Sequence, residues 1–128
     1  MKKLLLASCA LIASLNAAQA DENKLTISVY GFAQDAFKEI LYKPFEEKCG
    51  CELVVETGNS VERLAKMEAN KDHPVVDLAV MTSQDALAAR RKDLTDTIDT
   101  SKLENFDKLY DIAKDPNGDG HSVGYTFY

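Results

Sequence analysis

The sequence has 128 residues, with 15 lysines and arginines against 21 aspartates and glutamates. This length accommodates one modest domain. The formal net charge of −6 argues against binding to nucleic-acid phosphates or anionic membranes, because like charges repel. A solvated protein surface accounts for most of these charges.

The first twenty residues show the three-part pattern of a secretory signal peptide. Lys2 and Lys3 give a basic start, residues 4–15 are apolar, and the sequence Ala-Gln-Ala at 18–20 offers the small residues of a cleavage site. The apolar run is shorter than the about 20 residues that a membrane-spanning helix needs. We therefore predict cleavage after Ala20 and an exported mature domain covering 21–128. Cys9 leaves an alternative open, because residues 6–9 resemble a bacterial lipobox that would anchor the protein to lipid.

Alternating strand and helix patterns follow. Residues 25–30 predict a first strand. Asp35 is the predicted cap of a helix whose inward residues are Phe37, Ile40, Leu41 and Phe45. Pro44 is expected to kink that helix or to start its second segment, and Gly50 to end it.

Two cysteines remain after the predicted cleavage, Cys49 and Cys51, separated by one glycine. An exported protein permits a disulfide between them, and two free thiols fit the sequence equally well. A redox role is a further alternative, although the usual oxidoreductase motif has two residues between its cysteines. A metal site would need more ligands than this pair offers. We interpret the two cysteines as structural.

The next segments continue the alternation. Residues 53–56 predict a second strand, and Asn59 or Ser60 the cap of a helix with Val61, Leu64 and Ala65 on its apolar side. The apolar run 75–81 predicts a third strand buried on both faces. Ser83 is the expected cap of a helix that runs to about residue 91.

The last third predicts a polar loop, a helix, a turn and a strand. Residues 93–100 are polar, and Ser101 and Glu104 fit the capping box of a helix with Leu103, Phe106, Leu109 and Tyr110 facing inward. Residues 115–120 match the first half of a calcium loop. Position 126 is a threonine where that loop requires a glutamate, so we predict a plain turn. Residues 123–128 predict a final strand.

Three successive strand–helix units predict an α/β fold with a mostly parallel sheet flanked by helices. In such sheets ligands bind beyond the carboxyl ends of the strands. Here those ends, at residues 30–35, 57–60 and 81–85, carry small polar residues at helix starts. Free backbone N–H groups at helix starts can hold polar ligand groups. The sequence therefore predicts a binding site where these three segments meet.

The order and spacing of several stretches resemble the N-terminal lobe of a periplasmic solute-binding protein of a bacterial ABC importer. The stretches are LTISVYGF, KPFEEKCGCELVVETGNS, ERLAKMEA, DLAVMTSQDAL, DLTDTIDTSKLENFDKL and GHSVGYTFY. The resemblance is to the group that binds polyamines, thiamine or ferric iron, and it covers residues 24–128. It implies one lobe of a two-lobed fold, with the second lobe absent, so the chain is expected to be truncated.

The resemblance implies a periplasmic, monomeric, non-enzymatic protein without a cofactor. It would capture a small solute and deliver it to a permease in the inner membrane. A polyamine-like cation is the favoured solute, with ferric iron or thiamine as alternatives, and no nucleic acid is involved. An exported thiol-redox protein using Cys49 and Cys51 is the competing hypothesis.

Candidate ligand contacts follow each strand. The resemblance matches Phe32 to an aromatic ligand contact, and Thr82 and Ser83 to a Ser or Thr contact. Gln34 and Asp35 occupy the place where iron-binding relatives use His or Glu. The residues themselves add Asn59, Ser60 and Tyr125, each of which has an equally plausible structural role as a cap or a buried ring. No catalytic set is recognisable around His73 or His121.

Overall fold

A computed structural model describes residues 23–125. The predicted signal peptide, its cleavage site and Cys9 lie outside these residues. The elements, in chain order, are β1 (Lys24–Val29), α1 (Gln34–Phe37), a π-helical turn (Lys38–Tyr42), α2 (Lys43–Cys49), β2 (Glu52–Thr57), α3 (Ser60–Ala69), β3 (Leu78–Ala79), α4 (Ser83–Arg91), 3₁₀ turns at Thr100–Lys102 and Phe106–Lys108, and α5 (Asp111–Lys114).

The three strands form one parallel sheet in the order β2-β1-β3. β1 and β2 pair along their full lengths, from Lys24 opposite Glu52 to Val29 opposite Thr57. β3 pairs with the other edge of β1, where Ile27 lies opposite Leu78. Helices connect the strands, as parallel pairing requires. The predicted fold class, α/β with a parallel sheet and flanking helices, is confirmed.

The third strand is shorter than the sequence predicted. Strand pairing covers Leu78 and Ala79 alone, although the apolar run extends over 75–81. Val75 is 45% exposed and Leu78 is 57% exposed, so the expected burial on both faces is wrong. Because β3 is an edge strand, it pairs on one side only and its outer side lacks a neighbouring strand among the described residues.

The core lies on one face of the sheet. Ile27 and Val29 alternate along β1 and are buried together with Tyr42 from the helical segment. Partly buried side chains pack against them, from Phe37, Leu53, Val55 and Val80. Ser28, between the two core residues, belongs to the opposite face, where α3 covers it.

The π-helical turn changes which residues of the first helical segment face the core. A π-turn adds one residue to a helical turn and so shifts the phase of everything after it. Tyr42 is therefore buried, while Ile40 is 72% exposed, Leu41 55% and Phe45 43%. The predicted inward face was correct for Phe37 and wrong for the other three residues.

In this helical segment, the predictions for Pro44 and Gly50 are confirmed and the prediction for Asp35 is wrong. The helix begins at Gln34 after Ala33, whose φ of 53° is left-handed, so Asp35 lies in the first turn and is not the cap. Pro44 stands at the start of α2, as one of its two predicted roles required. Gly50 ends α2 with a φ of 66°, in a left-handed conformation that favours glycine.

Helix α3 begins as predicted but turns a different face inward. Asn59 caps it with a complete capping box that includes Glu62. Val61, which we expected on the inner side, is 78% exposed, whereas Arg63 is only 5% exposed. Ala65 is also exposed. The buried face of α3 thus contains the charged residue Arg63, and the spacing of apolar residues could not predict this.

Three predictions about α4 and the stretch after it are wrong. Helix α4 has its predicted bounds, but Thr82 is its cap and Ser83 is its first residue. The predicted helix 101–110 is replaced by two 3₁₀ turns, the first capped by Asp99 in place of the Ser101 and Glu104 box. Tyr110 is 82% exposed, so its expected inward position is also wrong.

The end of the described chain forms turns. The carboxylate of Asp115 accepts hydrogen bonds from the N–H groups of Asp119 and Gly120, which is the predicted plain turn. Residues 123–125 are not a strand, and the Gly124 N–H donates to the carbonyl of Ala113 in α5. None of the described helices has the length and hydrophobicity that crossing a membrane requires.

Candidate functional site

The carboxyl ends of the three strands meet around the hydroxyl of Tyr30. This residue directly follows β1, and its hydroxyl lies 3.2 Å from Ser60 Oγ at the start of α3. The same hydroxyl accepts a hydrogen bond of 3.2 Å from the backbone N–H of Thr82, the cap of α4. One side chain therefore connects the segments that follow β1, β2 and β3. The predicted convergence of the three segments is confirmed.

A buried arginine lies beneath this junction. The guanidinium carbon of Arg63 is 4.6 Å from the centre of the Tyr30 ring, within the range of a cation–π contact. Arg63 Nε donates to Ser28 Oγ at 2.9 Å, and Nη2 donates to the Ser28 carbonyl at 3.0 Å. Nη2 also donates to the carbonyl of Val80, just after β3. The sequence analysis assigned no role to Arg63.

The loop after β1 places Phe32 at the surface. Phe32 is 60% exposed, and its ring stacks on Tyr30 with centres 6.1 Å apart. Its other ring neighbour is Phe37, at 6.0 Å and edge-on. The ring is thus held on one side by protein and open on the other, which suits contact with a solute.

Gln34 and Asp35 follow Phe32 but differ in how they are engaged. The Gln34 side chain donates to the Tyr30 carbonyl at 2.6 Å and accepts from the Tyr42 hydroxyl at 3.2 Å. These bonds hold the amide inside the loop. Asp35 is exposed and lines an open cavity of ≈ 360 Å³ beside β2, together with Lys38. Asp35, in the first turn of α1, is therefore a carboxylate that a solute can reach.

The loops after β2 and β3 present caps. Asn59 Oδ1 accepts from the Glu62 N–H at 3.0 Å, while the Asn59 N–H donates to the Glu62 carboxylate at 3.2 Å. In the third loop, Thr82 Oγ1 accepts from the Asp85 N–H at 3.1 Å and donates to its carboxylate at 2.8 Å. Ser83 is exposed, and its carbonyl accepts a hydrogen bond from Asn117. The capping role predicted for Asn59 is thus present, and Thr82 has the capping role that was predicted for Ser83.

The eighth predicted contact, Tyr125, lies at the end of the described chain. It is 70% exposed, and the bond from Gly124 to Ala113 joins this stretch to α5 and not to the sheet. The strand that was expected to bring Tyr125 towards the other candidates is absent at 123–125. Direct contacts with Tyr30 thus bring together four of the predicted positions, Phe32, Gln34, Ser60 and Thr82. Asp35, Asn59 and Ser83 lie at the same strand ends without a described contact to Tyr30, and no described contact places Tyr125 with them.

The cysteine pair forms a closed disulfide at the far end of α2. Cys49 and Cys51 are bonded to each other, and the Cys51 N–H also contacts Cys49 Sγ at 3.1 Å. This pair begins the connection into the amino end of β2, opposite the edge that carries Tyr30. Of the two alternatives left open by the sequence, the structure has the disulfide.

The described charged side chains near the carboxyl ends of the strands form no metal-binding cluster. Within 23–125, no three His, Cys, Asp or Glu side chains are grouped as a metal ion would require.

Two titratable residues with notable contacts lie away from the strand ends. The pKa of Asp99 is lowered by hydrogen bonds from the Ser101 side chain and from Lys102, but Asp99 belongs to the stretch after α4. His121 is partly buried, and its Nδ1 lies 3.2 Å from Thr95 Oγ1.

Sequence reasoning missed the two residues that organise the site. Tyr30 was predicted only as the last residue of an apolar strand, and its hydroxyl at that position was the available signal. Arg63 was overlooked because a charged residue on a helix is usually solvated. Its partners, Ser28 and the Val80 carbonyl, are 35 and 17 residues away in sequence, so local pattern could not reveal them.

Comparison with known proteins gives a structural relative. No protein-family model and no curated protein sequence matches the chain. Among solved structures, the chain is similar to an ABC transporter from Clostridium perfringens ATCC 13124, with a TM-score of 0.73 and 30% sequence identity. The match covers 80% of this chain and 32% of that one, so the chain spans about a third of its relative's length. The α/β sheet described above is thus a fold found within an ABC transporter protein.

Proposed function

We propose that this chain is a solute-binding lobe that serves an ABC importer. Support comes from the convergence of the three loops at Tyr30 and from the likeness to an ABC transporter structure. The observation that carries the proposal is the contact of one hydroxyl with both the α3 and the α4 starts, because it gathers the loops at the edge where such sheets bind ligands. The lobe captures a small solute and presents it to a membrane permease.

The proposed setting is the periplasm. The signal-peptide pattern of residues 1–20 supports export, and the disulfide between Cys49 and Cys51 fits an oxidising compartment. Expression of the full chain in a Gram-negative host tests this. Protein recovered from the periplasm with Asp21 as its first residue supports export and cleavage after Ala20. Uncleaved cytoplasmic protein, or lipid-modified Cys9, would contradict it.

The proposed solute is a small polyamine-like cation. Phe32 offers an exposed ring, and Asp35 offers an exposed carboxylate three residues later in α1; both groups attract ammonium groups. The formal net charge of −6 acts in the same direction over longer distances. Thiamine, which is also cationic, and ferric iron are the competing solutes.

Titration of the full chain, followed by NMR of the backbone amides, tests binding. Spermidine, thiamine and ferric citrate are the three probes. We expect spermidine to shift the amides of residues 30–35, 58–60 and 82–85. A cleft open on one side encloses little of a ligand, so the expected affinity is weak, with a Kd of about 1 mM.

Matched variants identify the contacts. Phe32→Leu and Asp35→Asn should each weaken spermidine binding by about twofold to fivefold, as loss of an exposed cation–π or ion-pair contact does. Tyr110→Leu and Asp111→Asn are the controls, because they alter an exposed ring and an exposed first-turn carboxylate elsewhere. Equal losses in both pairs, or shifts spread over the whole surface, would contradict a site at the strand ends.

The same purified protein tests the alternative that this chain is a thiol-redox protein using Cys49 and Cys51. Insulin reduction by dithiothreitol, measured with and without the protein, reports thiol–disulfide exchange. We expect no acceleration, because the disulfide closes the connection between α2 and β2 as a structural element. Acceleration that is lost in the Cys49→Ser variant would instead favour a redox protein.

A further inference from the structure

Arg63 is a buried cation without a carboxylate partner in the described chain. It is 5% exposed, and no ion pair among residues 23–125 includes it. A buried charge is costly unless other groups compensate it. Here the compensation comes from the Ser28 hydroxyl, from the carbonyls of Ser28 and Val80, and from the face of the Tyr30 ring.

These four partners belong to the ends of two different strands. Ser28 and Tyr30 lie at the end of β1, and Val80 directly follows β3. Arg63 itself belongs to α3, which follows β2. The guanidinium of Arg63 therefore bonds to the ends of β1 and β3 from α3, the helix that follows β2. The loops after β1 and β3 begin at these points, and the loop after β2 leads directly into α3.

We propose that Arg63 is the positioning residue of the binding site. It holds the three strand ends in one arrangement and fixes the Tyr30 ring, whose hydroxyl then orients Ser60 and Thr82. The role in solute binding rests on the proposed function, whereas the role in ordering the loops does not. Phe32, stacked on the ring that Arg63 supports, is positioned through the same contact.

The geometry leaves no guanidinium N–H group of Arg63 open to a solute. Nη1 has no hydrogen-bond partner, yet it is sealed from solvent, so a ligand atom cannot reach it in this arrangement. Arg63 borders an open cavity of ≈ 290 Å³ whose wall also contains Glu56, Glu62 and Lys66. Glu62 bonds to the Asn59 N–H, and Lys66 bonds to Glu56 at 2.6 Å. Together with Arg63, the wall carries two positive and two negative side chains, so its net formal charge is zero and gives the cavity no preference for an anion.

Amide hydrogen exchange tests the ordering role without any solute. The reporters are Val80, whose N–H donates to the Ser28 carbonyl at 2.9 Å, and Thr82, whose N–H donates to Tyr30. Glu52 is the reference, because its N–H bonds to Asn23 at the opposite end of the sheet. In Arg63→Met, exchange at Val80 and Thr82 should rise by about tenfold relative to Glu52, since charge-assisted hydrogen bonds are lost.

Two further variants keep the test informative if Arg63→Met does not fold. Arg63→Lys retains the charge but has no planar fork for bonding Ser28 and Val80 together, so it should give a smaller rise at both reporters. Tyr30→Phe removes the hydroxyl alone and should accelerate Thr82 but not Val80. Arg91→Gln, at an exposed arginine of α4, is the control and should change neither ratio.

The outcomes separate this proposal from the proposed function. Selective acceleration at Val80 and Thr82, together with weaker spermidine binding by Arg63→Lys, supports positioning. Selective acceleration in a protein that binds none of the three probes supports loop ordering and counts against the proposed solutes. Uniform acceleration of all three amides would show a merely structural role and overturn the proposal, as would unchanged spermidine affinity in Arg63→Lys despite selective acceleration.

Discussion

The sheet with its helices and the stretch 92–125 are held together by different forces. In the first region, strand pairing and a core around Ile27, Val29 and Tyr42 hold the backbone. In the second, short turns dominate, and carboxylates of Asp99 and Asp115 accept bonds from nearby backbone N–H groups. Apolar burial sets the structure of one region, and local polar contacts set that of the other.

The amount of buried apolar surface differs in the same way. Among the described residues after 91, Ala113 is the one fully buried hydrophobic side chain. Five larger apolar residues of that stretch are exposed, and four more are only partly buried: Ile98, Leu103, Tyr110, Ile112 and Tyr125 in the first group, and Leu94, Phe106, Leu109 and Val123 in the second. Because burial of apolar area is the main stabilising contribution to folding, we expect the second region to contribute less to global stability.

A matched pair of isoleucines gives the largest expected difference. Ile27 is 8% exposed in the core, and Ile112 is 69% exposed in α5. Ile27→Ala should lower the free energy of unfolding by about 2–5 kcal/mol, through lost burial and a cavity. Ile112→Ala should change it by no more than about 0.5 kcal/mol. Urea unfolding followed by circular dichroism measures both, and a similar loss in the two variants would refute the proposed difference between regions.

A pair of asparagines tests the helix caps of the two regions. Asn59 has a full capping box at the ten-residue helix α3, whereas Asn105 precedes a 3₁₀ turn without a capping bond. Asn59→Ala should lower the free energy of unfolding by about 1 kcal/mol, because the Glu62 N–H loses its acceptor. Asn105→Ala should stay within about 0.5 kcal/mol. Thermal unfolding curves of the two variants give the comparison, which a larger loss for Asn105→Ala would reverse.

The regions also differ in how well sequence predicts them. β1, β2 and the limits of α3 and α4 were predictable, because apolar spacing and caps agree there. The helix expected at 101–110 was not, because the carboxylate of Asp99 bonds to the Ser101 N–H and hydroxyl and favours a tight turn. The spacing of apolar residues does not show whether helical hydrogen bonds or the turn held by Asp99 is the more stable.

The candidate site shows the same limit at longer range. Its location followed from strand order, since parallel strands end at one edge. The identity of its organising residues depended on contacts between distant segments, such as Arg63 with Ser28 and Val80. The π-helical turn that buries Tyr42 has no simple sequence signal either, because its extra residue is accommodated by packing against the sheet.

Two glycines with left-handed backbone conformations, one in each region, allow the two regions to be compared at equal local strain. Gly50 has a φ of 66° and Gly118 a φ of 70°, and neither has an atom within 4 Å of the place where a Cβ would stand. Gly50→Ala should lower the free energy of unfolding by about 1 kcal/mol. Gly118→Ala should lower it less, because its region can open locally. Gly31→Ala is the control, since that Cβ would meet Thr57 at an ordinary 3.9 Å.

The smallest expected effect is the pH dependence that Asp99 gives to the second region. Hydrogen bonds from Ser101 and Lys102 lower the pKa of its carboxyl in the folded chain below the unfolded value. The charged form is thus favoured by folding, so its stabilisation is present above the unfolded pKa and is lost as the pH falls through the folded pKa. The difference in melting temperature between the native chain and Asp99→Asn should therefore shrink on acidification. The Asp99 side chain is exposed to solvent, which keeps this difference small, and added salt should reduce it further. A difference that grows on acidification would mean that the Asp99 carboxylate does not hold the turn, and the contrast between the two regions would then need another cause.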